Sequence, residues 1–385
     1  IVMKYKLLKK YNTALYHFVL DMQKVPLSYL VKHFFDYYRL FKSKGLSLEE
    51  YYNYSFENRD LQYRESFLGK NEERFYLDLL NPMKYYILSR NKFWAHKMLE
   101  NIGVRKSELY CYYHPEATYP QNQDYASDLH NVLRILQSKN ASSFVMKATE
   151  SSHGDSVMVI SKVEYHEDDA HLTLFNGQSC KLSEVLKDQP LIFESVVRQT
   201  EQFAQLNRSS VNTLRFMTTL YPNKEAKVIA VWGKVGRQGV CVDNAGGGGN
   251  VDFGVDVETG TLFNVYRFDS MRNMERIECH PDSNMQLNGM VVENWESIKQ
   301  QVMDYQKAIP FCKAAGWDIA ITDEGPVVVE VNDFWDCTGQ LFLGRGWRNE
   351  IRDCYKAWQK ANKRYPMERQ LNVLGSKHLK KIVAR

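Results

Sequence analysis

The stretch Gly316–Asn332, GWDIAITDEGPVVVEVN, decides how this chain folds. It reads as two short strands, Gly316–Thr322 and Pro326–Asn332, joined by a tight Asp-Glu-Gly turn. With the turn centred on Glu324, Asp318 lies directly across the ladder from Glu330, their side-chain origins roughly 5 Å apart. Asn332, two residues beyond Glu330, shares that face because strand side chains alternate. The other face is uniformly apolar: Trp317, Ile319, Ile321, Val327, Val329 and Val331. One face is therefore expected to enter a core, while the other carries two carboxylates and an amide oxygen. Opposed like charges repel, so a cation is expected between them. Hard oxygen donors suit Mg²⁺, which takes one or two carboxylates together with substrate phosphates. A solvated polar face is the alternative.

Working outward, Ile298, Val302, Tyr305 and Ile309 mark a helix ended or kinked by Pro310. Upstream lie the strands VNTLRFMTTL and AKVIAVWGKVG, with Arg215 mid-strand on the face of Val211, Thr213, Met217 and Thr219. A half-buried arginine needs an anion, either a structural carboxylate or a phosphate. Arg237 follows the second strand. Gly246–Gly249 lets backbone approach a ligand closely or serves as a flexible connection. Val251–Val257 and Thr261–Tyr266 form a further hairpin, and Gln340–Arg352 and Ala357–Arg385 read as loop and helices with a basic end.

In the first half, Ser89–Asn101 reads as a helix capped by Ser89 or Asn91 and closed by Gly103. Lys92 falls in its first turn, where the helix dipole disfavours a cation, unless lysine and helix N-terminus share a bound anion. Ala141–Lys147 and Ser156–Lys162 are strands separated by ATESSHGD. Such a loop is either a phosphate cover built from N–H groups and hydroxyls or a mobile hairpin. It is not a Walker loop, because GxxxxGK[ST] is absent. Asn176-Gly177 signals a hairpin. In the strand LIFESVV, Glu194 interrupts an apolar run, facing a base or ribose, or simply an edge. Residues 1–85 read as helical and aromatic, with Pro26–Ser43 at helical spacing. Lys4, Lys6, Lys9 and Lys10 make a basic amphipathic start, either a solvated helix face or a contact with an anionic membrane surface.

The bulk numbers bound these readings. The 385 residues imply roughly two or three domains or lobes. Hydrophobic content of 44% and charged content of 25% are those of a water-exposed globular protein. A net charge of +4 gives no case for nucleic acid. Seven scattered cysteines without CxxC spacing point to reduced thiols in the cytoplasm. No secretory segment or membrane span is read.

Three blocks, SSVNTLRFMTTL, VCVDNAGGGGNVDFGVDVETGTL and AGWDIAITDEGPVVVEVN, resemble the sugar-transfer-associated ATP-grasp family of polysaccharide-biosynthesis clusters. The resemblance covers roughly residues 90–345. It implies an α+β fold, two lobes sandwiching ATP: a helical N-terminal region (1–88), an N-lobe (89–200) and a C-lobe (201–385). It further implies that Lys92 and Lys147 bind the α- and β-phosphates and that the loop with Ser151, Ser152, His153 and Gly154 closes over the γ-phosphate. Glu194, Ser195 and Val197 would lie on a hinge strand meeting adenine, the last two through backbone groups. Asp318, Glu330 and Asn332 would hold Mg²⁺. Amino-acid-ligase relatives place an arginine two residues before the metal aspartate; here Gly316 stands there, so Arg215, Arg237 or Arg345 would have to supply that charge. The implied activity is an ADP-forming carboxylate–amine ligase acting on an amino sugar or glycan precursor, with a sugar kinase and a glycan-binding scaffold as alternatives. The implied location is cytoplasmic, with peripheral contact at the inner membrane face left open. Oligomeric state is not read from the sequence.

Overall fold

The computed structural model describes residues 27–119, 124–151, 156–186, 189–240, 249–270 and 273–361. The basic starts and ends of the chain, Ser152, His153 and Gly154, and most of the glycine-rich segment lie outside the described residues.

Two sheets carry the fold. The first comprises β1 (Leu109–Tyr113), β2 (Tyr125–Ala126), β3 (Phe144–Ala148), β4 (Val157–Tyr165), β5 (Ala170–Leu174), β6 (Ser179–Lys181) and β7 (Leu191–Glu194), in the order β2-β1-β7-β3-β4-β5-β6. The second comprises β8 (Thr213–Leu220), β9 (Ala226–Val235), β10 (Val251–Val255), β11 (Leu262–Ser270), β12 (Asn273–Arg276), β13 (Ala314–Thr322) and β14 (Gly325–Asn332), in the order β12-β11-β10-β9-β8-β13-β14. Only β1 and β2 pair in parallel among the described strands. The expected hairpins are present. The β11–β12 hairpin is an addition, since FDSMRNMER lacks the apolar alternation that marks a strand.

The opening hairpin forms, by a different route. Thr322 pairs with Gly325, so Asp323 and Glu324 alone make the turn. Continued unbroken, that register would misalign the carboxylates by one residue. A bulge at Val329 restores it: Ile319 pairs with Val328 and Asp318 with Glu330. The bulge also changes which valines enter the core. Val328, not Val327 or Val329, packs with Trp317, Ile319, Ile321 and Val331 against Ile298 and Val302 of the Trp295–Ala308 helix.

The first sheet packs on the Leu129–Ser138 helix through Val132, Ile135 and Leu136. The N-terminal helices pack elsewhere. Tyr51, Phe56, Phe67 and Leu77 share a core with Met217 and Trp232 of the second sheet and with Trp347, Ile351 and Cys354 near the far end of the chain. Polar contacts pin this arrangement. Gln340 accepts from the Leu68 N–H at 2.9 Å and donates to its carbonyl at 3.0 Å. The Arg348 Nε lies 2.8 Å from a Glu72 carboxylate that is wholly buried. Six of the seven cysteines are free thiols; Cys241 lies outside the described residues.

Breaking a buried ion pair on one side strands the other charge, at a cost of ~3–5 kcal/mol, whereas replacing both partners by apolar groups is close to neutral. Arg348→Met should accordingly lower the unfolding free energy in urea by about that amount. Adding Glu72→Leu to Arg348→Met should restore most of the loss.

Candidate nucleotide site

The Lys92–Asn101 helix begins where the sequence places it, and Asn91 is its cap, accepting from the Phe93 and Trp94 N–H groups at 3.2 Å each. The Lys92 N–H donates to the Thr149 carbonyl at 2.8 Å. All three leading N–H groups are thereby satisfied within the protein, so the expected sharing of the helix N-terminus with an anion is corrected. Lys92 offers its side chain instead. Its Nζ donates to the Ser151 carbonyl, lies 3.3 Å from Ser151 Oγ and 3.9 Å from Glu330. Burial lowers its pKa, and nearby Lys147 adds to that, against the pull of Glu330.

Lys147, in β3, donates to Glu194 at 2.8 Å, and the ring of His96 donates to the other oxygen of the same carboxylate at 3.0 Å. His96 stands one helical turn below Lys92. Burial opposes ionisation of Glu194, yet Lys147, the His96 hydrogen bond and Lys106 hold it well below the usual carboxylate range. The two oxygens of Glu194 are thus engaged by the Lys147 ammonium and the His96 ring rather than left open to a base or ribose. Lys106 was not anticipated. Its Nζ lies 3.3 Å and 3.4 Å from the Val328 and Val329 carbonyls, which the bulge presents to it. The Val328 N–H also donates to the Arg105 carbonyl, so this segment covers the edge of β14. One cleft between the sheets is lined by Lys92, Lys106 and Lys147 with Glu194, Val329 and Glu330.

On the same face of the second sheet, Asp318 is almost wholly buried and held by Arg215 through both oxygens, with Nη2 at 2.6 Å. Lys234 adds a contact at 3.4 Å. Burial would raise the Asp318 carboxyl, but Arg215 and Lys234 outweigh it and bring the pKa from the ordinary 3.8 down to about 2. Lys234 was legible in principle: it is a lysine within the apolar strand AKVIAVWGKV. A Cβ on Gly316 would meet the Arg215 Cδ at 3.4 Å and the Trp335 Cβ at 3.5 Å. Arg215 therefore lies across Gly316 and fills the space a long side chain there would need.

The other expected residues fall elsewhere. Strand β7 stops at Glu194, so Ser195 and Val197 lie in the connector to the second sheet rather than on the strand. The Ser195 N–H donates to Glu108 at 2.8 Å, and its hydroxyl accepts from the Glu108 N–H at 2.9 Å. Arg237 makes a bidentate pair with Asp282, both contacts 2.7 Å. Arg345 pairs with Glu350 at 2.9 Å and donates to the Ile229 carbonyl at 2.8 Å. Neither contact set reaches Asp318 or the cleft lysines. Asn332, expected beside Glu330, donates to the Gly316 carbonyl at 3.5 Å.

A model of sugar-transfer associated ATP-grasp proteins matches residues 71–356. The chain belongs to that family. No curated protein matches it. Among solved structures, phosphoribosylamine–glycine ligase from Thermotoga maritima is 12% identical, with a TM-score of 0.41 over 73% of this chain and 57% of that one. D-alanine–D-alanine ligase from Bacillus anthracis is 10% identical, with a TM-score of 0.36 over 72% and 69%. The biotin carboxylase–β,γ-ATP complex from Campylobacter jejuni is 8% identical, with a TM-score of 0.41 over 70% and 46%. The chain thus spans about half the length of the first and third of these.

In this ATP-grasp chain the donor set fits a hard divalent cation with phosphate. Asp318 and Glu330 are cross-strand neighbours, and Asn332 shares their face. Among the described residues no group of three or more His, Cys, Asp or Glu side chains forms a metal cluster. A cation here would therefore need phosphate oxygens or water to complete its shell.

Asp318→Asn leaves Arg215 and Lys234 facing a neutral amide, at a cost of ~3–5 kcal/mol near neutral pH. The folded-state pKa of Asp318 is depressed, so its contribution is present above pH 3.8 and lost as pH falls through about 2. The stability gap between wild type and Asp318→Asn in denaturant titrations should be widest above pH 4 (~the unfolded carboxylate value) and should shrink on acidification.

Proposed function

We propose that this chain is an ATP- and Mg²⁺-dependent carboxylate–amine ligase that attaches an amino acid or other acyl group to an amino sugar or glycan precursor in polysaccharide biosynthesis. The observation carrying this reading is the cleft itself. Lys92, Lys106 and Lys147 converge from one side on a hairpin whose facing side carries Asp318, Glu330 and Asn332.

In this reading residues 89–200 and 201–385 are the two lobes. Lys92 and Lys147 bind the α- and β-phosphates, the segment from Ser151 covers the γ-phosphate, and the connector through Ser195 and Val197 meets adenine. Asp318, Glu330 and Asn332 hold the cation, which when bound supplies charge neutralisation to phosphate oxygens. A substrate carboxylate oxygen bonds to the γ-phosphorus and ADP leaves. The amine nitrogen then bonds to the acyl carbon, phosphate leaves with the bonding electrons, and the proton shed by nitrogen passes to that phosphate.

Arg215 supplies the positive charge for the acyl phosphate. It lies across Gly316 and already touches Asp318, whereas Arg237 and Arg345 are paired with other carboxylates. Positioned cations of this kind are each worth roughly 10²–10³ in rate. The protein's contribution is positioning and electrostatics, as in other phosphoryl transfers.

Incubation with MgATP, candidate carboxylates and hydroxylamine should give hydroxamate and ADP together. Phosphorylated sugar without hydroxamate would instead identify a kinase, and no ATP-dependent product with any glycan acceptor would identify a binding scaffold. Glu330→Gln should lower kcat by ~10²–10³ with an unchanged melting temperature, because the Glu330 side chain is 38% exposed and its pairing with Lys92 is long.

A further inference from the structure

The Leu27–Lys44 helix has a buried face and an unpartnered one. Leu40 is buried and Tyr37 half-buried, both packed into the core that contains Met217 and Trp232 of the second sheet. On the other side Val31 is 47% exposed, Phe34 55%, Phe35 65% and Tyr38 47%. Their spacing of three, four and seven residues aligns them in one stripe. Phe34 packs edge-on to Phe35 and stacks on Tyr38, so the rings form one continuous apolar surface.

On this helix the exposed charged residues beside the stripe are all cations. Lys32, Arg39 and Lys42 are exposed, with the Lys42 ammonium 5.4 Å from the centre of the Tyr38 ring. Asp36, the only carboxylate of this helix, is half-buried and engaged by Arg64, by the Tyr51 hydroxyl at 3.0 Å and by Arg39 at 3.3 Å. Aromatic rings bordered by lysine and arginine, with no exposed carboxylate on the same helix, match the boundary between lipid headgroups and acyl chains. Residues 1–26 hold five lysines against one aspartate. Their net charge has the same sign as Lys32, Arg39 and Lys42 and adds to attraction toward an anionic surface. No helix among the described residues is long and apolar enough to cross a membrane, so attachment through this stripe would be peripheral.

We propose that the exposed Val31–Phe34–Phe35–Tyr38 stripe of the Leu27–Lys44 helix, with Lys32, Arg39 and Lys42, docks this protein on an anionic lipid surface. The aromatic side chains insert at headgroup depth and the cations pair with lipid phosphates. The buried side of the helix is continuous with the second sheet, so docking holds the sheet that carries Asp318 close to the bilayer. This surface is separate from the nucleotide cleft, and the inference stands or falls independently of the ligase reading.

The test is co-sedimentation of the full chain with vesicles of phosphatidylcholine containing about a third phosphatidylglycerol, against phosphatidylcholine alone. Binding is expected only to the anionic vesicles, weakening as salt shortens the screening length. Phe34→Ser with Phe35→Ser should reduce the partition constant at least tenfold, with the far-ultraviolet circular dichroism and melting temperature unchanged because both side chains are exposed. Lys32→Gln, Arg39→Gln and Lys42→Gln should each reduce it roughly fivefold. Absence of binding at low salt would overturn the proposal. So would binding that survives the double serine variant. A wild-type dimer that the same variant converts to monomer would show instead that a second copy of the chain covers the stripe.

Discussion

The Asp318 carboxylate is the constraint on which the second sheet's functional face depends. It is buried, which by itself would drive it neutral, and it stays ionised because Arg215 and Lys234 close on it from two neighbouring strands. Lys234 is buried and Arg215 half-buried, so the carboxylate is a main electrostatic support for both. The arrangement ties β13, β8 and β9 together: Arg215 faces Asp318 in one row of the sheet, Lys234 reaches it diagonally from two residues along, and a carboxylate, a guanidinium and an ammonium share a single face. Glu330 stands beside this row and is the less constrained of the two carboxylates, which suits a ligand that must meet and release a cation.

The two walls of the cleft are held in register from outside it. The Asp333 carboxylate, immediately after Asn332, accepts from Ser89 at 2.7 Å and from Arg90 at 3.1 Å and 2.7 Å. Those residues directly precede the helix that delivers Lys92. Asn81 donates to the carbonyls of Ala314 and Asp333 at 2.7 Å and 2.6 Å, at the start of β13 and just beyond β14. The segment before residue 91 is thus part of the site's frame, linking the hairpin to the lysine that faces it. A hydrogen-bonded network of this kind fixes position, since moving Asn81 or the Asp333 carboxylate leaves a buried polar partner unmet.

Much of the site was legible locally. Alternation in GWDIAITDEGPVVVEVN put Asp318, Glu330 and Asn332 on one face, and Arg215 in an apolar strand announced its need for an anion. The bulge at Val329 was not legible, because a run of three valines offers no local preference for which one is left unpaired. Lys106 and Asp333 lie in connecting segments, where sequence carries no periodic signal. Glu194 and Lys147 were each noticed, but their mutual pairing and the part of His96 depend on how β3, β7 and a distant helix meet.

The sequence by itself determined most of the strands, the paired carboxylates and the family, because those rest on residue type, motif order and periods of two and 3.6 that a short window displays. The tertiary structure alone decided which cation serves which carboxylate. It also placed Arg215 rather than Arg237 or Arg345 beside Asp318, and packed the N-terminal helices on the second sheet with an aromatic stripe left outward. Charges and apolar surfaces choose partners by distance and burial in three dimensions, and residues separated by 103 or 276 positions along the chain have no local signal of their meeting.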